Sequence, residues 1–179
     1  MDASEFNRHD FIYSFAQVWK RVMTDPQGFF AEMPLTGGLP NPLIFVIISL
    51  AIAGMGTMVA NGGGLKGVLL ILGGGLLQAF IGTTLLLLIA RQLFAGTGDF
   101  EATFRVCAYA GAPAVLIWVP VVKFIAVLYG VYLLILGLQR AHGYDSVKAA
   151  LTLLLTAAAG SFLSLPFGGP PGVHLFIHL

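Results

Sequence analysis

Five long apolar runs free of charge dominate this sequence. They lie at about Pro42 to Ala60, Gly67 to Ala90, Val106 to Val122, Phe124 to Leu138 and Ala149 to Phe167. A helix rises about 1.5 Å per residue, so about 20 residues cross a hydrocarbon core of roughly 30 Å. Each run is of that order; the fourth reaches it if Lys123 and Gln139 snorkel outward at its two ends. The runs are continuously apolar, without the alternation of a strand that faces lipid on one side and a lumen on the other. Helices also satisfy their own backbone groups in lipid. The expectation is an all-α membrane protein with five transmembrane helices.

Composition agrees with that class. Only 9% of the 179 residues are charged and 58% are hydrophobic, against roughly a quarter charged in soluble domains. A net charge of +1 gives no pull toward nucleic acid, and 12% aromatic content argues against disorder. The single cysteine can form neither an internal disulfide nor a zinc pattern.

The distribution of charge sets an expected orientation. With a cytoplasmic N-terminus, Arg8, Lys20, Arg21, Arg91, Arg105, Arg140 and Lys148 fall inside, and only Lys66 and Lys123 outside. The positive-inside rule therefore favours N-in and C-out. All eight carboxylates fall on that same inner side. Met1 to Asp10 is too polar and acidic to open a signal peptide. The organisation expected is a cytoplasmic segment (1–41), a five-helix membrane domain (42–167) and a short tail (168–179).

Within the first segment, Phe11, Phe15, Val18 and Val22 share one arc at helical spacing, flanked by Ile12 and Trp19. Asp10, Ser14, Gln17, Lys20 and Arg21 take the other side. This pattern predicts an N-terminal amphipathic helix lying in the inner interface, or packed on the end of the bundle. Asp25-Pro26 stops it. Pro34, Gly37, Gly38, Pro40 and Pro42 then punctuate a linker into the first span.

Chemistry inside the spans is sparse. No charged residue lies near a span centre, which argues against a proton relay or ion-coupled carrier. Gln78, Thr83, Thr84, Tyr129 and Tyr132 are the polar groups there. They read as interhelical glue, and Trp118 and Tyr129 as part of an outer aromatic belt. Small residues such as Gly54, Gly56, Gly73 to Gly75 and Gly82 permit close helix packing. No nucleophile elbow, metalloprotease motif or paired intramembrane aspartates occur, so no enzyme and no cofactor is expected. His174 and His178 are four apart, a spacing compatible with metal, but have no carboxylate partner; a tail touching the outer interface is the better reading.

The polar candidates gather at the inner helix ends. Lys20, Arg21, Asp25, Arg105, Tyr109, Arg140, His142 and Lys148 form a rim that either anchors the inner loops through ion pairs or binds lipid headgroups or a partner. Arg105, Tyr109 and Pro113 share one helical face. Pro113 should kink the third span.

Thr24-Asp-Pro-Gln-Gly-Phe-Phe30, Phe104-Arg-Val-Cys-Ala-Tyr-Ala-Gly-Ala-Pro113, Gly137-Leu-Gln-Arg-Ala-His-Gly143 and Lys148-Ala-Ala150 occur in this order. Together they resemble the bacterial branch of the Yip1 domain family over roughly residues 11 to 165. The matching positions are Asp25, Pro26, Arg105, Tyr109, Pro113, Gly137, His142 and Gly143, with Pro26, Pro113, Gly137 and Gly143 as structural candidates. The resemblance implies a five-helix integral membrane protein with a cytoplasmic N-terminus. Eukaryotic members resemble adaptors of early secretory membranes that associate with Rab GTPases; they place a longer cytosolic segment before the first span than the roughly forty residues here, so the resemblance does not extend to Rab-type binding. The function expected is a non-enzymatic membrane-organising or adaptor protein of a bacterial inner membrane. Its partners would be membrane lipids, with a protein partner and a homo-oligomer left open. The alternative is a small, oligomeric permease, channel or lipid-translocating protein.

Overall fold

The computed structural model of the chain describes residues 5–7, 10–62 and 64–164. The histidine pair His174 and His178, with the rest of the tail, lies outside the described residues.

Aspartates and prolines at the turns set the helix boundaries. Helix α1 (Phe11–Thr24) ends at Asp25, whose N–H donates to Arg21 O at 2.8 Å. The carboxylate of the same residue accepts from Gly28 N at 3.0 Å and so opens α2 (Pro26–Glu32), with Pro26 in the first turn, where no amide donor is needed. Helix α3 (Pro40–Asn61) also starts on prolines and stops at Gly62, which takes the left-handed conformation (φ 68°). Helix α4 (Gly64–Phe94) is the longest, at 31 residues. Asp99 caps α5 (Phe100–Ala110) by accepting from Ala102 N at 2.8 Å. Helix α6 (Pro120–His142) ends on Gly143 (φ 70°), and α7 (Ser146–Ser164) is capped by Asp145, which accepts from Lys148 N at 2.8 Å.

Three of these helices are long and apolar enough to cross a membrane: Pro40–Ala60, Gly64–Phe94 and Pro120–His142. A shorter apolar helix runs over Ser146–Phe162. The expected third span is not one continuous helix. Helix α5 stops at Ala110, a 3-10 segment follows at Ala112–Leu116, and the chain turns before Pro120. The cause is Pro113: it has no N–H to donate to the turn before it, and its ring displaces the carbonyl there. The sequence suggested a kink at this point; the structure has a break.

Around this break the elements form a ring. Helix α3 packs on α4, α4 on α7, α7 on α6, α6 on the 3-10 segment, and that segment back on α3. Helix α5 packs on α3, α4 and α6 and fills the end of the ring at which it starts. Helices α1 and α2 lie outside, against α5, α6 and the 3-10 segment, where Val18, Val22, Phe29 and Phe30 join the core.

Two polar contacts fix α1 in place. The Trp19 indole donates to Ala112 O at 2.9 Å, satisfying a carbonyl at the broken span. The Tyr129 hydroxyl donates to Met23 O at 3.0 Å. Tyr129, read from the sequence as part of an aromatic belt, thus meets the end of α1. The last carbonyls of α1 lack donors within their own helix, and Tyr129 supplies one.

Close approach occurs where α6 meets α5 and α2, as it does between α3 and α4, where a Cβ on Gly75 would lie 2.5 Å from Leu50 Cδ2. A Cβ on Gly137 would lie 2.4 Å from Val106 Cγ1 and 3.0 Å from Phe30 Cε1, whereas one on Gly73 or Gly74 would meet nothing within 4 Å. Gly137→Ala should lower stability by about 1–3 kcal/mol through overpacking, and Gly73→Ala and Gly74→Ala should not. Thermal unfolding of the three variants in detergent checks the contrast.

Candidate functional site

The ends of α4 and α6 and the starts of α3, α5 and α7 bring most of the rim residues to one end of the bundle. There they separate into two buried clusters and a set of exposed cations.

Arg105 is the centre of the first cluster. Its side chain has no exposed surface. A guanidinium carries five donors and no acceptor, and here protein groups take four of them. Nη1 donates to Glu5 Oε1 at 2.6 Å and to Pro34 O at 3.4 Å, Nη2 to Gly38 O at 2.8 Å, and Nε to Glu101 Oε1 at 3.2 Å. Glu101 Oε1 also accepts from Gly38 N at 2.6 Å. The linker between α2 and α3 thus closes over the arginine. Gly37 and Gly38 make this possible: both have positive φ (128° and 89°), and a Cβ on Gly37 would lie 2.8 Å from Arg105 Nη2.

One helical turn on, Tyr109 continues the same face. Its hydroxyl accepts from Phe6 N at 3.3 Å, and its ring packs edge-on against Phe29 at 5.2 Å and tilted against Phe45 at 5.1 Å. Pro113 follows at the break. The Arg105, Tyr109 and Pro113 face is therefore buried, and the first two of these residues hold the N-terminal segment.

His142 centres the second cluster, at the end of α6. The Thr103 hydroxyl donates to Asp99 O at 2.7 Å, which leaves its oxygen to accept from His142 Nε2–H at 3.0 Å. That assignment fixes the neutral tautomer with the proton on Nε2. His142 Nδ1 is then a buried acceptor with no hydrogen-bond partner among the described residues. The ring stacks on Tyr144 at 5.2 Å. Burial pushes the Tyr144 phenol above its ordinary pKa, with the Thr152 hydroxyl acting in the opposite sense. The loop between α4 and α5 covers the pair: a Cβ on Gly96 would lie 2.7 Å from His142 Nδ1, and one on Gly98 would lie 2.7 Å from Ala141 O. Arg91 Nε holds this loop by donating to Gly98 O at 2.9 Å.

The remaining candidates lie on the surface. Lys20, Arg140 and Lys148 are exposed, and Arg21 pairs with Glu32 at 2.5 Å. Asp25 is used as a helix cap. Gly143 closes α6 with its N–H donating to Gln139 O at 2.9 Å. Among the described residues no three His, Cys, Asp or Glu side chains converge in a metal-binding group. Glu5, Thr103 and Tyr144 take part in these clusters without having been singled out as site residues. Gly37 and Gly38 were legible only as turn formers. Nothing in the local sequence links Glu5 to an arginine 100 residues later.

A model of the Yip1 domain family matches residues 20–165. The chain belongs to the Yip1 domain family. Its members are generally non-enzymatic membrane proteins. The matched region contains α2 to α7 and both buried clusters, while Glu5, which pairs with Arg105, precedes it. No curated protein and no solved structure matches the chain.

Arg105→Met should cost about 3–5 kcal/mol, because it leaves the Glu5 and Glu101 carboxylates facing a site built for a cation. Faster protease cleavage within residues 34–38, together with a lower unfolding temperature, would register it. Thr103→Val removes the partner of His142 Nε2–H and should cost about 1–3 kcal/mol. Thr103→Ser, which keeps the hydroxyl, should recover most of that loss in the same unfolding assay.

Proposed function

We propose that this Yip1 family protein is a non-enzymatic organiser of the membrane that contains it, acting through α1 and α2 at the cytoplasmic face. Five crossings are made by α3, α4, the α5 and 3-10 unit, α6 and α7, with the N-terminus inside and the C-terminus outside. The location of seven of the nine basic residues supports this orientation.

One observation carries the reading: α1 is half docked and half exposed. Val18 and Val22 are buried in the bundle, whereas Phe11, Ile12 and Tyr13 in its first turn are exposed, Ile12 to 71%. Trp19, Tyr129 and Asp25 hold the helix firmly, so this apolar turn is presented in a fixed place.

The surface of α6 supports the same placement. Its large exposed apolar side chains run from Val121 through Phe124, Ile125 and Leu128 to Tyr132. Beyond that point Leu133, Gly137 and Leu138 are buried. Eleven residue steps from Val121 to Tyr132 correspond to about 16 Å of helix, about half of a 30 Å hydrocarbon core. Helices α1 and α2 occupy space beside the remainder of α6 that lipid would otherwise fill. A protein wider in one leaflet than in the other perturbs packing in that leaflet, with Lys20, Arg140 and Lys148 available to anionic headgroups.

An environment-sensitive fluorophore at Ile12→Cys, in a Cys107→Ala background in lipid nanodiscs, tests the proposal. Its emission should be quenched by lipids spin-labelled near the headgroup end of the acyl chain and protected from aqueous iodide. Quenching by iodide with no response to spin-labelled lipid would remove α1 from the membrane and the proposal with it.

A further inference from the structure

The ring of helices is not filled at its centre. A cavity of about 150 Å³ lies where α5 ends, and every element of the ring contributes to its wall. Its origin is in the sequence: the break at Pro113 takes the chain out of helical register, and the neighbouring positions are Ala108, Ala110, Ala114, Ala126 and Gly130, none of which reaches the centre. A hollow of this volume holds about six carbon atoms.

The wall is apolar apart from a few groups on α3, α4, α5 and α7. Ser49, Thr83 and Thr156 all donate back to carbonyls of their own helices, to Phe45 O, Ala79 O and Thr152 O respectively. Gln78 differs. It lines the cavity near the middle of α4 and makes no hydrogen bond to any described residue. A Cβ on Gly82 would lie 3.6 Å from its Nε2, which places the amide over that glycine, one turn along α4. A primary amide in an apolar wall within a membrane helix is costly unless something accepts its protons.

We propose that the cavity is a binding site for the hydrocarbon chain of a membrane amphiphile, with the Gln78 amide donating to an ester, carboxyl or hydroxyl oxygen on that molecule. The surrounding phase supplies such chains at very high concentration. The cavity accepts a chain segment and excludes a headgroup. One free amide, with no charged group in the wall, suits a ligand carrying a single neutral or weakly polar oxygen function at that depth. This site is separate from the α1 surface, and its occupancy does not depend on α1 entering the membrane.

Photo-crosslinking of the full-length protein in nanodiscs tests the site. The probes are a diazirine-bearing fatty acid and a phosphatidylcholine with a diazirine in its acyl chain, and adducts are mapped by mass spectrometry. Adducts should concentrate on the lining positions Gly75, Gln78, Ala79, Leu86, Ala126 and Leu134, above the level on outward-facing Leu69, Leu77 and Leu128. Enrichment with the fatty acid alone identifies a free acid as the source, and enrichment with the phospholipid identifies its ester; both support the site. Gly82→Leu, which fills the cavity, should abolish the enrichment. Gln78→Leu should lower it about fivefold, the worth of one hydrogen bond. Unfolding temperatures within a few degrees of the parent would show that both variants fold. Adducts spread evenly over the outer surface and unchanged by Gly82→Leu would overturn the proposal. Unchanged labelling in Gln78→Leu would overturn the role given to the amide.

Discussion

A guanidinium removed from water must be surrounded by acceptors, and the way this chain meets that demand at Arg105 organises one end of the molecule. Two carboxylates and two backbone carbonyls converge on it from the N-terminal segment, from the linker before α3 and from α5 itself. The N-terminal segment and the linker have no large apolar face of their own that would fix their positions so narrowly. Leaving the cation partnerless would cost far more than an exposed ion pair ever returns, so the arrangement acts as a constraint. Buried ion pairs are poor sources of net stability. Here the pair's effect is to choose one placement for the linker among many.

The second dependence is on Pro113. The 3-10 segment that follows the stop of α5 carries Ala112, whose carbonyl accepts from the Trp19 indole and so brings α1 against the bundle. The same interruption leaves the ring centre lined by alanine and glycine. One imino acid therefore sets both how the outer helices attach and why the interior is hollow. A continuous helix through these residues would have swung the following side chains to other faces.

Much of this was legible in the sequence because it rests on local chemistry. The end of α1 at Asp25-Pro26 and the apolar runs of α3, α4 and α6 follow from short-range rules. The face shared by Arg105, Tyr109 and Pro113 was equally readable from spacing. The rest depended on distant pairings. Glu5 with Arg105, Thr103 with His142 and Tyr129 with Met23 join segments that no periodicity connects. Tyr129 shows the limit well: an aromatic near a helix start suggests a membrane boundary, and only the presence of α1 beside it makes the hydroxyl a helix cap. The third apolar run was misleading for a related reason, since hydropathy counts side chains and is indifferent to a missing backbone donor.

The separation of Glu5 and Arg105 along the chain also has a consequence for biosynthesis. The acid is made 100 residues before its partner, and at 5–20 residues per second that interval is roughly 5 to 20 s. Throughout it, α1 and α2 exist without the surface of α5 and α6 on which they rest, and their phenylalanines have no folded protein to cover them. Synthesis of α3 and α4 therefore precedes the docking of the segment that was made first. The ribosome delivers the N-terminal helices early, and the fold admits them late.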